Sequence, residues 1–467
     1  MIKSKTTLII SLLFILILPL RLFAAGQLKI DVAPIVFKNA LIIDGNGGKP
    51  IDNGTLVIQG GKIIAVGKKD AVKIPESAKV IDMQGKTIMP ALIDTHSHLG
   101  LTKNTTLSDT NNTRENVLRQ LKLFAQYGVG AVTSLGRDKE FIYELRRQRN
   151  NGLLGNQYAY IITAGQGIGV PDGAPPKMSG PDPVYRPNTF EAIAQDVATL
   201  ATKSPDVVKI WVDDFYHSLP KMKPEMYQEV IKKAHQHNLR VAAHMYYLDD
   251  AKSLVNSGVD ILEHSVRDKP VDMELINAMK KHKVAIVPTL QLDESYYIYT
   301  ESPSWMQDDF FLNALEPGVL DVLNGKTKIP SYIPKLSEKQ TLSIAMHNIK
   351  TLYQHGILVG LGADSGAKVE RIQGFAEHRE LQLLVKAGLT PMDAIKIGTA
   401  NSAKIMGVDQ YMGTLEPGKK ANLLILDANP LSNIKNTQRI NAVWLDGKPV
   451  SRDSLFKKDN QNKKLQP

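Results

Sequence analysis

Cysteine is absent from all 467 residues, which excludes disulfide staples, thiolate metal sites, thiol nucleophiles and a lipid-modified cysteine. His, Asp, Glu and Lys are left to carry any metal chemistry. Aromatic residues are sparse at 6%, but hydrophobic residues reach 43% and charged residues 22%. That balance excludes disordered, collagen-like and membrane-embedded classes and permits a large core. No run of five basic residues occurs, so the net charge of +10 reads as dispersed solvation rather than a nucleic-acid footprint. Beyond the N-terminal segment no stretch approaches the roughly 18 uninterrupted apolar residues of a membrane span.

The N-terminal segment itself reads as a secretory signal over residues 1–25. Lys3 and Lys5 precede the apolar stretch Thr7–Leu20, and Leu22-Phe23-Ala24-Ala25-Gly26 offers small residues for cleavage after Ala25. Pro19 and Arg21 count against it, and an uncleaved anchor is the alternative. An exported chain without cysteine fits a bacterial periplasm, where disulfides are available but not required.

Short β-branched runs separated by Gly and Asn turns fill residues 34–90, with Gly60-Gly61 as a two-residue hairpin signal. The same texture returns in Ala421–Leu426 and Ala442–Leu445, followed by the turn Asp446-Gly447. Neither set buries much surface alone, so residues 33–88 and 408–453 are expected to pair into one small β-sandwich domain. Between them, over 89–407, strands alternate with amphipathic helices. Candidate strands are Thr87–His98, Ala131–Leu135, Tyr158–Thr163, Val207–Val212, Val241–Tyr246, Ile261–His264, Ala285–Leu290 and Val359–Asp364; Thr113–Tyr127, Phe190–Thr202, Lys223–His235 and Ala251–Ser257 supply helices. Eight such units predict an α/β fold of the parallel (β/α)8 barrel type, with an open doubly wound sheet as runner-up. Two long interruptions, Gly165–Asn188 and the aromatic-rich Asp293–Lys335, are expected to wall a pocket at the barrel mouth. Residues 454–467 read as a polar tail.

On a barrel the reacting groups stand where strands end. His96 and His98 close the first barrel strand in Asp94-Thr95-His96-Ser97-His98, and alternation turns 94, 96 and 98 toward one side, placing two imidazoles within reach of one metal ion. His235-Gln236-His237 has the same spacing at a helix end, where i and i+2 face apart, and reads as surface. His244 ends strand five, His264 strand six and Asp364 strand eight. Capping would explain Asp364 alone; in this company it reads as a metal ligand and proton acceptor. Lys209 puts an ammonium inside the apolar run Val207–Val212. Unpaired burial would cost several kcal/mol, so the chain either snorkels or faces the axis. There an amine with a depressed pKa can add CO2, giving a carbamate suited to bridging two cations. Gly165-Gln166-Gly167-Ile168-Gly169 mimics a dinucleotide loop, but prolines follow where that loop needs a helix.

These residues, in this order, resemble the amidohydrolase superfamily, over roughly residues 35–452. Further agreement lies in Gly388-Leu389-Thr390-Pro391, in Gly398-Thr399-Ala400-Asn401-Ser402-Ala403 and in Gly413–Asn422. Asn422 departs from the acidic residue often found there, far from the site. The chain is most similar to the branch near imidazolonepropionases and Xaa-Pro dipeptidase-like peptidases. That resemblance implies two zinc ions, one held by His96, His98 and Asp364 and the other by His244 and His264, with carboxylated Lys209 between them.

The implied reaction is hydrolysis of a C–N bond in a dipeptide or N-acyl amino acid by a hydroxide that the cations activate. Asp364 would shuttle the proton and Tyr246, which shares the inward face of His244, would donate to the developing oxyanion. His378 and Asp213 are weaker candidates for substrate contact. Competing readings are a one-metal deaminase or cyclic-amide hydrolase with Lys209 structural, and a barrel that binds without catalysis. The expected partner is a small molecule or dipeptide, with no nucleic acid and no membrane after signal cleavage; the sequence leaves a homo-oligomer open.

Overall fold

The computed structural model describes residues 33–326 and 338–452. The signal segment, the polar tail and part of the second long loop lie outside the described residues. Among the described residues, no helix is long and apolar enough to cross a membrane.

Strands from both ends of the chain join in one eight-stranded sheet. Its order is Lys448–Pro449, Ile440–Leu445, Leu423–Leu426, Thr87–Pro90, Ile35–Ile42, Ile51–Gln59, Lys62–Lys68, with Lys79–Asp82 paired to Ile35–Ile42. The turns are those the glycines announced. Gly60 and Gly61 take φ of 56° and 82° between Ile51–Gln59 and Lys62–Lys68, and Asp446-Gly447 takes 52° and 70° before the last strand, the positive values that a two-residue hairpin requires. Phe37, Leu56, Ile88 and Ile425 fill the core of this part.

Thr87–His98 is two strands, not one. Thr87–Pro90 runs antiparallel to Leu423–Leu426, while Leu92–Ser97 runs parallel to Val129–Ser134. The handover falls at Ala91, whose N–H donates to Asn422 O at 3.0 Å, whereas the next N–H, on Leu92, donates to Gly128 O at 2.9 Å. Both segments are fully buried, so apolar character carries no mark of the change of partner. The terminal sheet therefore extends to Pro90, two residues past the expected boundary.

Parallel strands form two further sheets. Leu92–Ser97, Val129–Ser134 and Tyr160–Thr163 make one; Val208–Val212, Val241–Met245, Ile261–Glu263 and Ala285–Val287 make the other. The eighth expected strand, Val359–Asp364, has no strand geometry, but its backbone links the two sheets. Gly360 N–H donates to Ile286 O at 2.9 Å, Leu361 O accepts from Thr95 N–H at 2.7 Å, and Asp364 N–H donates to His96 O at 2.8 Å. Glycine allows this approach: a Cβ on Gly362 would stand 2.6 Å from His96 Cβ and 2.4 Å from Val287 Cγ1. On the other side Asp206 N–H donates to Thr163 O and Ile168 N–H to Lys209 O.

Helices interleave as expected, among them Arg114–Gln126, Phe190–Thr202, Pro224–Gln236 and Leu248–Asn256. Thr113 and Thr189 cap the first two by accepting from Asn116 N–H and Ala192 N–H, as short hydroxyl side chains do. The aromatics of the second long loop correct an expectation. Tyr299, Trp305 and Phe311 pack with Phe375 in a satellite core because the loop folds into short helical turns that hide its own apolar faces. Of that loop, Asp293 and Tyr296 reach the cavity described below, among the described residues.

Arg149 ties the helix Phe141–Asn150 to the terminal sheet. Its guanidinium is 1% exposed and lies 3.7 Å from the centre of the Tyr160 ring, with Nη1 2.8 Å from Asp446 Oδ2 and Nε donating to Tyr158 O at 2.7 Å. Asp446→Ala strands a buried cation and is expected to cost about 3 kcal/mol, measured as a lowered urea midpoint; Arg149→Met, which removes the buried cation and leaves Asp446 to Lys420 and Tyr160, should cost less.

Candidate active site

The Leu92–Ser97 strand ends on the two histidines. Nε2 of His96 and Nε2 of His98 lie 3.3 and 3.1 Å from Asp364 Oδ1, and ligand atoms of the three residues fall within 4.8 Å of one another. That is the spacing of groups around a single ion. Among the described residues this is the one trio of His and carboxylate groups so arranged. Asp364 and His264 both take left-handed backbone, φ 52° and 73°, a conformation of order 1 kcal/mol or more that their surroundings must hold.

His264 and His244 continue the row. Ring centroids are 5.7 Å apart for His98 and His96, 4.6 Å for His96 and His264, and 4.3 Å for His264 and His244. Three of the four rings have one nitrogen anchored from outside. His96 Nδ1 is 2.7 Å from Glu263 Oε2, His264 Nδ1 is 2.7 Å from Thr289 Oγ1, and His244 Nε2 is 2.9 Å from Asp213 Oδ2. A ring held this way has its opposite nitrogen fixed in direction, as metal-binding imidazoles do. Burial lowers the pKa of His98, of His244 to about 4 and of His264 well below its usual range, so these rings are neutral at pH 7 and have a lone pair to give.

Lys209 is wholly buried, and its amine has no hydrogen-bond partner among the described residues. Burial pulls its pKa down to about 8 against the opposing pull of Glu263 and Asp364. It therefore faces the cluster rather than a helix interface, and a fraction of it is free amine near neutral pH.

A cavity of about 400 Å³ opens over the cluster, lined by His96, His98, His244, His264 and Asp364. Tyr246 lines it, with its buried hydroxyl beside the Tyr216 side chain. Asp213 lines it too, but its contact is with His244. His378 does not reach it: the ring is wholly buried, with Nε2 2.8 Å from Tyr127 O and Nδ1 3.0 Å from Thr437 Oγ1. It is a structural histidine, and the expectation of substrate contact is corrected. His235 and His237 are exposed, as their helical spacing implied.

Sequence reasoning passed over the groups behind the cluster. Glu263 was read only as part of a strand. Arg371 pairs with Asp364 Oδ2 through Nη1 and, although burial alone would raise that carboxyl, holds it well below the usual carboxylate range. Arg267, buried beside the cavity, reaches Asp293 at 3.3 Å and Met245 O at 3.2 Å. An arginine in a loop has no periodicity to betray it; only the run His264-Ser265-Val266-Arg267, beside a ligand-bearing strand end, was a clue.

Residues 87–450 match the model of the amidohydrolase family. The chain belongs to that family. It is 24% identical over 394 residues to imidazolonepropionase of Geobacillus thermodenitrificans, covering 81% of this chain and 84% of that protein. A 5-methylthioadenosine/S-adenosylhomocysteine deaminase of Teredinibacter turnerae is 34% identical over 122 residues, 22% of this chain and 28% of that protein. Among solved structures, a Xaa-Pro dipeptidase with bound methionine superposes with a TM-score of 0.71 at 21% identity, over 90% of this chain and all of the other. The chain is a hydrolase acting on carbon–nitrogen bonds, and the His96, His98 and Asp364 trio fits the metal dependence of its family.

Removing the Glu263 carboxylate frees the His96 ring to turn. Glu263→Ala is expected to weaken zinc binding by about 10–100-fold, read by competition with a chromophoric chelator, with the far-UV circular dichroism unchanged.

Proposed function

We propose that this protein is an exported two-metal amidohydrolase that cleaves the amide bond of a dipeptide or N-acyl amino acid. The observation that carries the reading is the Lys209 amine, wholly buried beside four imidazoles and a carboxylate and without a hydrogen-bond partner among the described residues. A structural lysine would have a partner; a free amine that adds CO2 and releases a proton becomes a two-oxygen anion, which bound cations would neutralise. His96, His98 and Asp364 would hold one ion, His244 and His264 the other, and the Lys209 carbamate would lie between them, with Zn2+ favoured by the imidazole-rich donor set. When bound, such ions supply a hydroxide at neutral pH and polarise a carbonyl.

The remaining work falls to the chain itself. Tyr246 directs its hydroxyl into the cavity, where it donates to the carbonyl oxygen as negative charge builds there. Asp364 takes the proton from the attacking water and passes it to the departing amine. Its Oδ1 faces the two imidazoles, while Arg371 occupies Oδ2. The outer carboxylates Glu263 and Asp213 hold the rings in one orientation, which confines the reaction to one geometry.

The same reading makes the two parallel sheets, closed through residues 359–364, a (β/α)8 barrel over 89–407, with the terminal sheet as the composite β-domain. It also places the protein in the periplasm after loss of residues 1–25.

A second reading, a one-metal deaminase or cyclic-amide hydrolase, draws support from the single preassembled trio. Metal content separates the two. The first expects about two zinc ions per chain, label from bicarbonate retained on Lys209, and loss of both the second ion and activity in Lys209→Ala. One ion per chain with activity retained in that variant would establish the second reading instead. Tyr246→Phe should lower kcat on an N-acyl amino acid by about 10²-fold with KM nearly unchanged, measured by steady-state kinetics.

A further inference from the structure

The cavity over the cluster has two unlike sides. Leu101, Leu107, Pro175, Pro176, Met178 and Leu219 make one of them largely apolar, Arg137 beside Pro176 being paired with Asp109. The other carries Arg267, Lys368 and Arg371 around Tyr296. Most of the charge there is already answered: Arg371 is taken by Asp364, and Arg267 lies against Asp293. Lys368 is not answered. It stands four residues beyond Asp364, half-buried at the cavity wall, and no ion pair or hydrogen bond holds its ammonium among the described residues. Its one close neighbour of note is the Tyr296 ring, whose centre is 4.7 Å from Nζ. Burial, and then the nearby Arg371, pull its pKa down to about 8 against the weaker opposing pull of Glu370 and Asp364, neither of which pairs with it directly, the mark of a cation kept from water.

An ammonium in that position is unfavourable in the empty protein and favourable once an anion arrives. We propose that Lys368 is the seat of a substrate carboxylate, so that the enzyme selects amides bearing a free carboxylate on the amine-side half and an apolar group on the acyl side. This assignment rests on the hydrolase reading of the same cavity. It orients the substrate: with the carboxylate on Lys368, four residues from Asp364, the scissile bond spans the cluster and the acyl group meets the apolar side formed by Pro175, Pro176 and Met178. A substrate whose charge is masked would lose a charge-assisted hydrogen bond but keep its apolar contacts.

The test uses the metal-loaded full chain and two probes, N-benzoylglycine and its carboxamide. Binding is followed by calorimetry and hydrolysis by release of the amine. The acid should bind the wild type at least about tenfold more tightly than the carboxamide. Lys368→Met should abolish that preference by weakening the acid alone, and Lys368→Arg should keep most of it. In turnover the change should appear in KM for the acid, with kcat little altered. A lysine that merely supports the fold would move both probes together, so the acid-to-amide ratio is the deciding quantity. Equal binding of the two probes to the wild type, an unchanged ratio in Lys368→Met, or binding of neither probe overturns the assignment. Acid preference that depends on Lys368, in a protein that hydrolyses no N-acyl amino acid, would keep the carboxylate seat and sink the proposed reaction. Hydrolysis indifferent to Lys368 would do the reverse.

Discussion

Withdrawing the Lys209 amine from water costs several kcal/mol unless something in the interior repays it. Around this one group the rest of the centre is arranged. The strand Val208–Val212 is buried along its whole length, so the amine has no route to solvent, and the groups whose charge reaches it are Glu263 and Asp364. Neither makes a hydrogen bond to it. The neighbouring rings, His98 and His244, feel its charge as a repulsion added to their own burial. A centre of this kind is poorly satisfied by its own atoms, the condition in which a bound metal ion is stabilising.

Around that unmet core lies a layer of groups that anchor it. Glu263, Thr289 and Asp213 each hold one histidine by the nitrogen that faces outward. Arg371 secures Asp364, and Asp94 Oδ1 accepts from the backbone N–H of His96. Orientation is therefore fixed before any ligand arrives, which is what rapid catalysis asks of its donors. The contrast between an anchored outer layer and an unsatisfied inner one separates this cluster from an ordinary buried polar network.

Much of this could be read from the chain alone, for a definite reason. His96, His98, Lys209, His244, His264 and Asp364 each stand at or inside an apolar strand pattern, where a polar side chain conflicts with its neighbours and so announces itself. Glu263 sat in the same pattern and was overshadowed by the histidine beside it. Arg267, Lys368 and Arg371 come from loops, where a charged residue conflicts with nothing, and only the folded chain shows which of them turn inward. Periodicity failed in two more places. The run 87–98 changes partner at Ala91 without changing composition, and the segment 359–364 does a strand's work through single backbone hydrogen bonds and isolated bridges rather than a continuous ladder. His378 looked functional because it follows the Asp364 loop, yet the helix Phe375–Lys386 directs it away from the cavity to Thr437.

The handover at Ala91 reaches further than topology. Thr87–Pro90 is held by Leu423–Leu426, which is held in turn by Ile440–Leu445, and the residue after Ala91 opens the strand that presents His96 and His98. The two histidines are thus braced by strands made long after them. During synthesis they emerge early but stay without their backing until Leu423–Leu426 and Ile440–Leu445 have followed, so the site cannot take its final form before those strands exist.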